Sequence, residues 1–288
     1  MSESSQPASS SPELPPHHLF EVPTVSFDIE TIPDPKAVRL YFFAGEKTLD
    51  VDKLSDAEVI ALAQQRLKAE RDSDFLPVAC HQVLSISCTF RSKDAFKVQS
   101  MVDTKNGAEE GKVVRQFFAI IEKYQPKLVS WNGASFDLPV LHYRGMIHRV
   151  SAPKYWDQGE RDKDAKWNNY LSRYHTRHTD LMDLLSLYQS RSSARLDVMA
   201  KLCGFPGKVG GIDGSKVYDE YRAGNIMRIA NYCETDTVNT HLLYVRHLLS
   251  TGSISPAAHD AEIAFIRKAI EDLSAQHEHW KEFLAAWA

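Results

Sequence analysis

At 288 residues, with 43% hydrophobic and 25% charged side chains, the chain can build one large α/β domain or two small ones around an ample core. A net charge of −4, without any run of five like charges, excludes a surface that coats nucleic acid by charge alone. Any polyanion must be met in a local cleft with its own positive source. Nowhere do about 18 apolar residues run together, so no membrane span is expected. Cys80, Cys88, Cys203 and Cys233 lack C-x-x-C spacing, which fits free thiols in a reducing cytoplasm and a cytoplasmic protein.

Residues 1–20 are rich in Ser and Pro and read as a disordered tail. Thr24–Glu30 alternates Val25, Phe27 and Ile29 with polar residues, which predicts a strand that Ile32-Pro-Asp-Pro35 ends in a turn. Residues 52–72 predict a helix inserted between the first two strands, with Ser55 and Glu58 at capping-box spacing. His81–Arg91 and Ala95–Val102 read as a hairpin. Ala108–Tyr124 then carries a helical apolar face, and Lys127–Trp131 reads as a short buried strand. A helix over Phe136–His148 follows, then an irregular or mobile stretch from Trp156 to Arg177. From Leu181 onward helices are expected at 181–188, 194–202, 215–222 and 226–249, with a last one over 257–287 broken near His277. Strands first and in the middle, with helices between and after, predict a single mixed sheet flanked by helices.

Three acidic clusters fall at or within these elements. Asp28 and Glu30 are i and i+2 on a strand and so share a face opposite Phe27 and Ile29. Asp-x-Glu also occurs at Asp56/Glu58 and Asp260/Glu262, both in helical contexts expected to be solvated, where i and i+2 diverge. Even the strand copy, taken alone, equally fits a solvated edge. Asp137, in Asn132-Gly-Ala-Ser-Phe-Asp137-Leu-Pro, follows a strand and precedes a helix, and by itself reads most simply as a helix cap. Tyr232 and Asp236 stack one turn apart on a late helix, and of eleven tyrosines Tyr232 alone has an Asp four residues on. Alone, that pair equally fits a wet helix face.

Their order and spacing change the reading. Asp-x-Glu on a strand, Asn-x-x-x-Phe-Asp after a later strand and Tyr-x-x-x-Asp on a late helix lie roughly a hundred residues apart. The series FDIET, NGASFDLP and YCETD resembles the three exonuclease motifs of the DEDDy family. It is most similar to the proofreading exonuclease of family B DNA polymerases and its stand-alone relatives. The resemblance covers roughly residues 22–249, and the stretches 178–183 and 196–204 also look like the family's segment between its second and third motifs.

It implies an RNase H-like α/β fold of about five strands and an exonuclease domain over 21–250; beyond it, the apolar residues of the last helix predict a C-terminal helical extension over 251–288 packed on the domain or a partner. It also implies hydrolysis from the 3' end of single-stranded nucleic acid, DNA preferred and RNA the alternative, releasing nucleoside 5'-monophosphates. A catalytically silent nucleic-acid-binding module is the reading from another class. Two divalent cations, Mg²⁺ or Mn²⁺, would neutralise Asp28, Glu30, Asp137 and Asp236, which could not otherwise all ionise together. By motif position, Asp28 would bridge both ions, Glu30 and Asp236 would complete the water-activating site, Asp137 would hold the second ion, and Tyr232 would orient the water. Thr31, Ile32, Asn132 and Phe136 would contact the terminal nucleotides, Phe136 by stacking.

Two weaker signals are discounted. His175-x-x-His178 lacks further ligands at metal spacing. The glycine-rich stretch 204–214 lacks the phosphate-loop order and reads as a helix–helix loop, in which Lys208 could reach a substrate phosphate.

Overall fold

The computed structural model describes residues 16–47, 49–105, 107–211 and 214–287. Strand β1 (Thr24–Pro33) lies at the centre of a five-stranded sheet ordered β3-β2-β1-β4-β5. Helices α1 (Pro35–Phe43) and α2 (Asp56–Arg71) come next, before β2 (His81–Ser92), which pairs antiparallel with β1 and forms a hairpin with β3 (Ala95–Val102). Helix α3 (Glu110–Tyr124) leads to β4 (Lys127–Ser130), parallel to β1, and α4 (Asp137–Ile147) precedes β5 (His178–Asp180), parallel to β4. These pairings leave β2 as the one strand running against the other four. The mixed α/β sheet expected for an RNase H-like protein is the sheet observed.

Helices then follow one another: α5 (Leu181–Leu185), α6 (Leu196–Leu202), α7 (Val217–Arg222), α8 (Ile226–Ser250), α9 (Pro256–Ser274) and α10 (Glu278–Ala285). Both faces of the sheet are covered. Val25, Phe27 and Ile29 of β1 pack with Val113 and Phe117 of α3 and Leu141 of α4. On the other face Val129 of β4 packs with Val238 and Leu242 of α8, Ile266 of α9 and Trp280 of α10. The alternation read in β1 is therefore apolar against polar rather than buried against exposed: Ser26, on the Asp28/Glu30 face, bonds His241 of α8 at 2.9 Å.

Several local expectations change. The Ile32-Pro-Asp-Pro sequence does not end the chain's regular structure; β1 runs on to Pro33, and Asp34 caps α1 by accepting from the Lys36 and Ala37 amides, with Pro35 at the first helical position. The inserted helix forms with its capping box intact between Ser55 and Glu58. Residues 1–15 of the expected tail lie outside the described residues. His17–Phe20, however, form a 3-10 turn, and Phe20 is buried beneath the Arg91 guanidinium at 4.4 Å.

Glu262 overturns the solvated reading of the Asp260/Glu262 pair. It is buried on α9 and holds the buried Arg91 of β2 through two hydrogen bonds of 2.6 and 2.7 Å. The last helix breaks as expected, α10 starting after His277. Residues 156–177 are irregular but bound: Asp157 accepts from the amides of Gly159, Glu160, Arg161 and Asp162, and Tyr155 stacks on Tyr170 at 5.4 Å. Among the described residues no helix is long and apolar enough to cross a membrane.

Candidate active site

Three elements bring the acidic motifs together. The ladder between β1 and β2 skips Leu84 opposite the Glu30–Thr31 step, a bulge in β2 that increases the local twist beside the acid pair on β1. Asp28 and Glu30 face α8. Cys233 of α8 donates its thiol to the Asp28 carbonyl at 3.4 Å and to Oδ2 at 3.5 Å. Asp28, Glu30 and Cys233 offer ligand atoms all within 4.8 Å of one another. Burial, followed by the Asp28 carboxylate, pushes the Cys233 thiol up, so it stays protonated and is no partner for a hard cation.

Asp137 does not cap α4. Phe136 holds the cap position without a side-chain bond, while Asp137 Oδ1 accepts from the Ile29 amide of β1 at 3.0 Å. The capping reading fails because the carboxylate turns across the sheet and ties the second motif to the first. The turn before it is built for close approach. Asn132 adopts a left-handed φ of +70°, and a Cβ on Gly133 would lie 2.5 Å from the Ser130 side chain. Asp180, at the end of β5, grips this turn: Oδ1 accepts from the Asn132 amide at 3.0 Å and Oδ2 from Ala134 at 2.8 Å. Its Oδ1 also accepts from Met182 and Asp183 at the start of α5. In the sequence the 178–183 stretch stands out only by resemblance, because the grip joins positions 46 and 48 residues apart.

Tyr232 and Asp236 lie one turn apart in the buried part of α8, which excludes the wet-face reading. Lys208 joins them. Its ammonium donates to the Tyr232 hydroxyl, lies 3.3 Å from Asp236 Oδ2, and sits 4.8 Å over the Tyr232 ring. The preceding residue is fixed from α8, where Asn239 accepts from the Gly207 amide at 3.1 Å and donates to its carbonyl at 2.8 Å. Asp197 accepts from the Lys208 amide at 2.8 Å. The glycine-rich loop is thus a device that delivers one cation to the carboxylates.

The electrostatics follow from four acids meeting one base in buried space. Burial raises Asp28 well above the usual carboxylate range, helped by Asp137, Glu30 and Asp236. Glu30 is raised by burial and then by Asp236. Burial lifts Asp137 to about 7 against the opposing Ile29 amide. Asp236 is also raised by burial, with Lys208 pulling the other way. Burial lowers Lys208, but Asp236 and then Asp28 and Glu30 outweigh it and hold the ammonium above its ordinary value. Tyr232 is raised by burial and the Asp236 charge, so its phenol keeps its proton. The Asp236 Oδ1 atom is buried without a hydrogen-bond partner, an open acceptor in a site with surplus negative charge. Hard oxygens in this number fit a hard divalent cation.

The expected substrate contacts divide. Thr31 and Phe136 line a cleft beside Glu30. Asn132 sits half-buried in the turn that Asp180 grips. Ile32 does not reach the cleft: its side chain is buried with Leu84, Ile229 and Tyr232, because the strand turns it into the core under α8. His175 accepts from the Asn169 amide, and His178 is buried against Ser130 at 2.8 Å.

The fold and the cluster together define an α/β protein with buried carboxylates converging from its central strand and two helices. The chain belongs to the family described as predicted 3'-5' exonucleases related to the exonuclease domain of PolB, whose model matches residues 73–287. Asp137, Tyr232 and Asp236 fall inside that match; Asp28 and Glu30 precede it. Over 137 residues the chain is 24% identical to a DNA polymerase of Archaeoglobus fulgidus, a match spanning 47% of this chain and 17% of that polymerase. The family B DNA polymerase of Pyrobaculum calidifontis superposes with a TM-score of 0.46 at 15% identity over 84% of this chain and 27% of that one. The chain thus spans less than a third of either polymerase.

Proposed function

We propose that the chain is a two-metal-ion 3'-5' exonuclease that hydrolyses the terminal phosphodiester of single-stranded nucleic acid, DNA in preference to RNA, and releases nucleoside 5'-monophosphates. The observation that carries this reading is the convergence of the half-buried Asp28 with the buried Glu30, Asp137 and Asp236, with one Asp236 oxygen unpartnered. Asp28, Glu30 and Asp236 would hold one divalent cation, and Asp28 with Asp137 the other, Mg²⁺ or Mn²⁺. Two such ions supply stabilisation of the attacking and leaving oxygens of an in-line displacement.

The protein's own groups do the rest. The Tyr232 phenol keeps its proton, so it orients the attacking water by hydrogen bonding and does not act as the base. Lys208, held charged beside Asp236, is placed to meet a non-bridging oxygen of the scissile phosphate. The Asp180 grip on residues 132–134 keeps the turn before Asp137 in place. The water oxygen bonds to phosphorus as the water gives up one proton to solvent, the bond to the 3' oxygen of the preceding nucleotide breaks, and that oxygen takes up one proton from solvent, so one water is consumed per bond cleaved.

The test is a 5'-labelled single-stranded DNA and its RNA counterpart, each with Mg²⁺, Mn²⁺ or EDTA. A ladder shortening from the 3' end, faster on DNA and absent in EDTA, is the expected result. Intact substrate under every condition would leave the silent binding module, and a faster RNA ladder would reverse the substrate order.

A further inference from the structure

Residues 35–80 lie between the first two strands, and most of them precede the segment that the family model matches. They form a small core of their own, Val38, Phe43, Val59, Ile60 and Leu76 among its members. Beside Leu76 the chain points the other way: Phe75 is 56% exposed. Its ring lies 5.5 Å from Phe136 and 5.0 Å from His81, and His81 stands edge-on to Phe136 at 5.1 Å. The segment is pinned, since Arg71 donates to the Phe75 carbonyl at 3.1 Å and His81 bonds the Leu76 carbonyl at 3.2 Å.

A carbonyl can only accept, so His81 carries its proton on Nε2 and its Nδ1 accepts from the Thr31 hydroxyl at 2.9 Å. The first motif and the insertion are thereby tied through one neutral imidazole.

These rings border a cleft of roughly 410 Å³ that starts at Glu30 and Thr31 and is closed by Phe75, Phe136, Gln64 and Tyr218. Its charged lining residues are Glu30 and Asp74; Lys and Arg are missing from the lining among the described residues. Phosphate is therefore repelled from it, whereas an uncharged flat ring finds an aromatic wall and the polar tips of Gln64 and Tyr218. We propose that the insertion builds a nucleobase subsite, in which Phe75, with Phe136, stacks one of the last two bases at the 3' end of a single strand. Stacking makes the subsite tolerant of base identity. The inference rests on the nuclease reading, because it is that reading which places a strand end at Glu30.

The test compares wild type with Phe75→Ala and Phe75→Leu on single-stranded DNA carrying normal nucleotides, or an abasic residue at the terminal or the penultimate position. Base–aromatic stacking contributes about 1–3 kcal/mol, so both variants raise KM about 5- to 150-fold on the normal end, with kcat changing less. On one of the two abasic ends the difference between wild type and variants disappears. Unchanged KM in both variants, or a deficit that survives both abasic substitutions, would overturn the proposal. Should wild type cut nothing, an oligonucleotide ending in 2-aminopurine is titrated in Ca²⁺ and in EDTA. Fluorescence quenching by wild type but not by Phe75→Ala retains the subsite and rejects the nuclease; equal signals reject the subsite as well.

Discussion

Two charged clusters lie on one face of the sheet, towards opposite ends of the β1–β2 pair, and are built to opposite rules. Arg91 and Glu262 are both buried, matched one to one through two short hydrogen bonds, with Phe20 and Phe265 on the guanidinium at 4.4 Å. Asp28, Glu30, Asp137 and Asp236 set four acids against Lys208, and burial raises every one of the four. The first cluster is electrically closed and joins β2 to α9. The second sets more acids than bases in one place, so it holds protons when no cation is bound, a pattern that clusters at functional sites.

Substitution separates the two most sharply. Asp236→Ala and Asp28→Asn should abolish nuclease activity, by about 10⁴-fold or more, as expected for members of a catalytic unit. The same Asp28→Asn should raise the thermal midpoint in EDTA by at least about 2 °C, the shift expected of roughly 1 kcal/mol in a chain of this size. A lowered midpoint would show that the acid cluster stabilises the fold and would remove the contrast. Glu262→Ala should do the reverse: it leaves a buried guanidinium unpaired, costs about 3–5 kcal/mol in denaturant unfolding, and leaves kcat per folded molecule unchanged.

Asp180→Ala should give an intermediate result. It frees the Asn132 and Ala134 amides and costs about 1–3 kcal/mol. Because the freed turn leads to Asp137, kcat should also fall, which Glu262→Ala does not cause.

The smallest effect is on pH. A carboxyl raised in the fold is still protonated when its unfolded counterpart has ionised, so stability falls as pH rises through the folded value. His142 and His178, lowered to about 4, and His241, lowered to about 3, act only below the ordinary histidine value and are silent above it. Between pH 6.5 and 8 in EDTA the midpoint should therefore drop, since Asp137 titrates at about 7. Asp137→Asn should flatten the drop, and saturating Mn²⁺ should cancel it; at 100 times its dissociation constant a ligand adds about 2.7 kcal/mol. A flat wild-type profile in EDTA would contradict the buried, proton-holding cluster.

What the sequence disclosed and what it hid follow the range of the interactions concerned. Periodicity found the long elements, and the capping box at Ser55/Glu58 formed as read, because those signals are local. The acids were legible as a set through order and spacing, although each had a plainer reading alone. Asp137 looked like a cap because its bond to Ile29 spans 108 residues, and Glu262 looked solvated because Arg91 lies 171 residues away. Strand β5, three residues long, is too short for alternation to show. Pro35 read as a stop because Pro both ends strands and opens helices, and only the Asp34 cap decides which. Phe75 and His81 gave no signal: their meaning lies in rings brought together from three parts of the chain.

The most direct test of the central claim is anomalous diffraction from crystals soaked with Mn²⁺ and a nucleoside 5'-monophosphate. Two peaks about 3.5–4 Å apart are expected among Asp28, Glu30, Asp137 and Asp236, with the Lys208 ammonium moved off Asp236 onto the phosphate. No peak in the cluster at saturating Mn²⁺, with Lys208 still paired to Asp236, would contradict the claim.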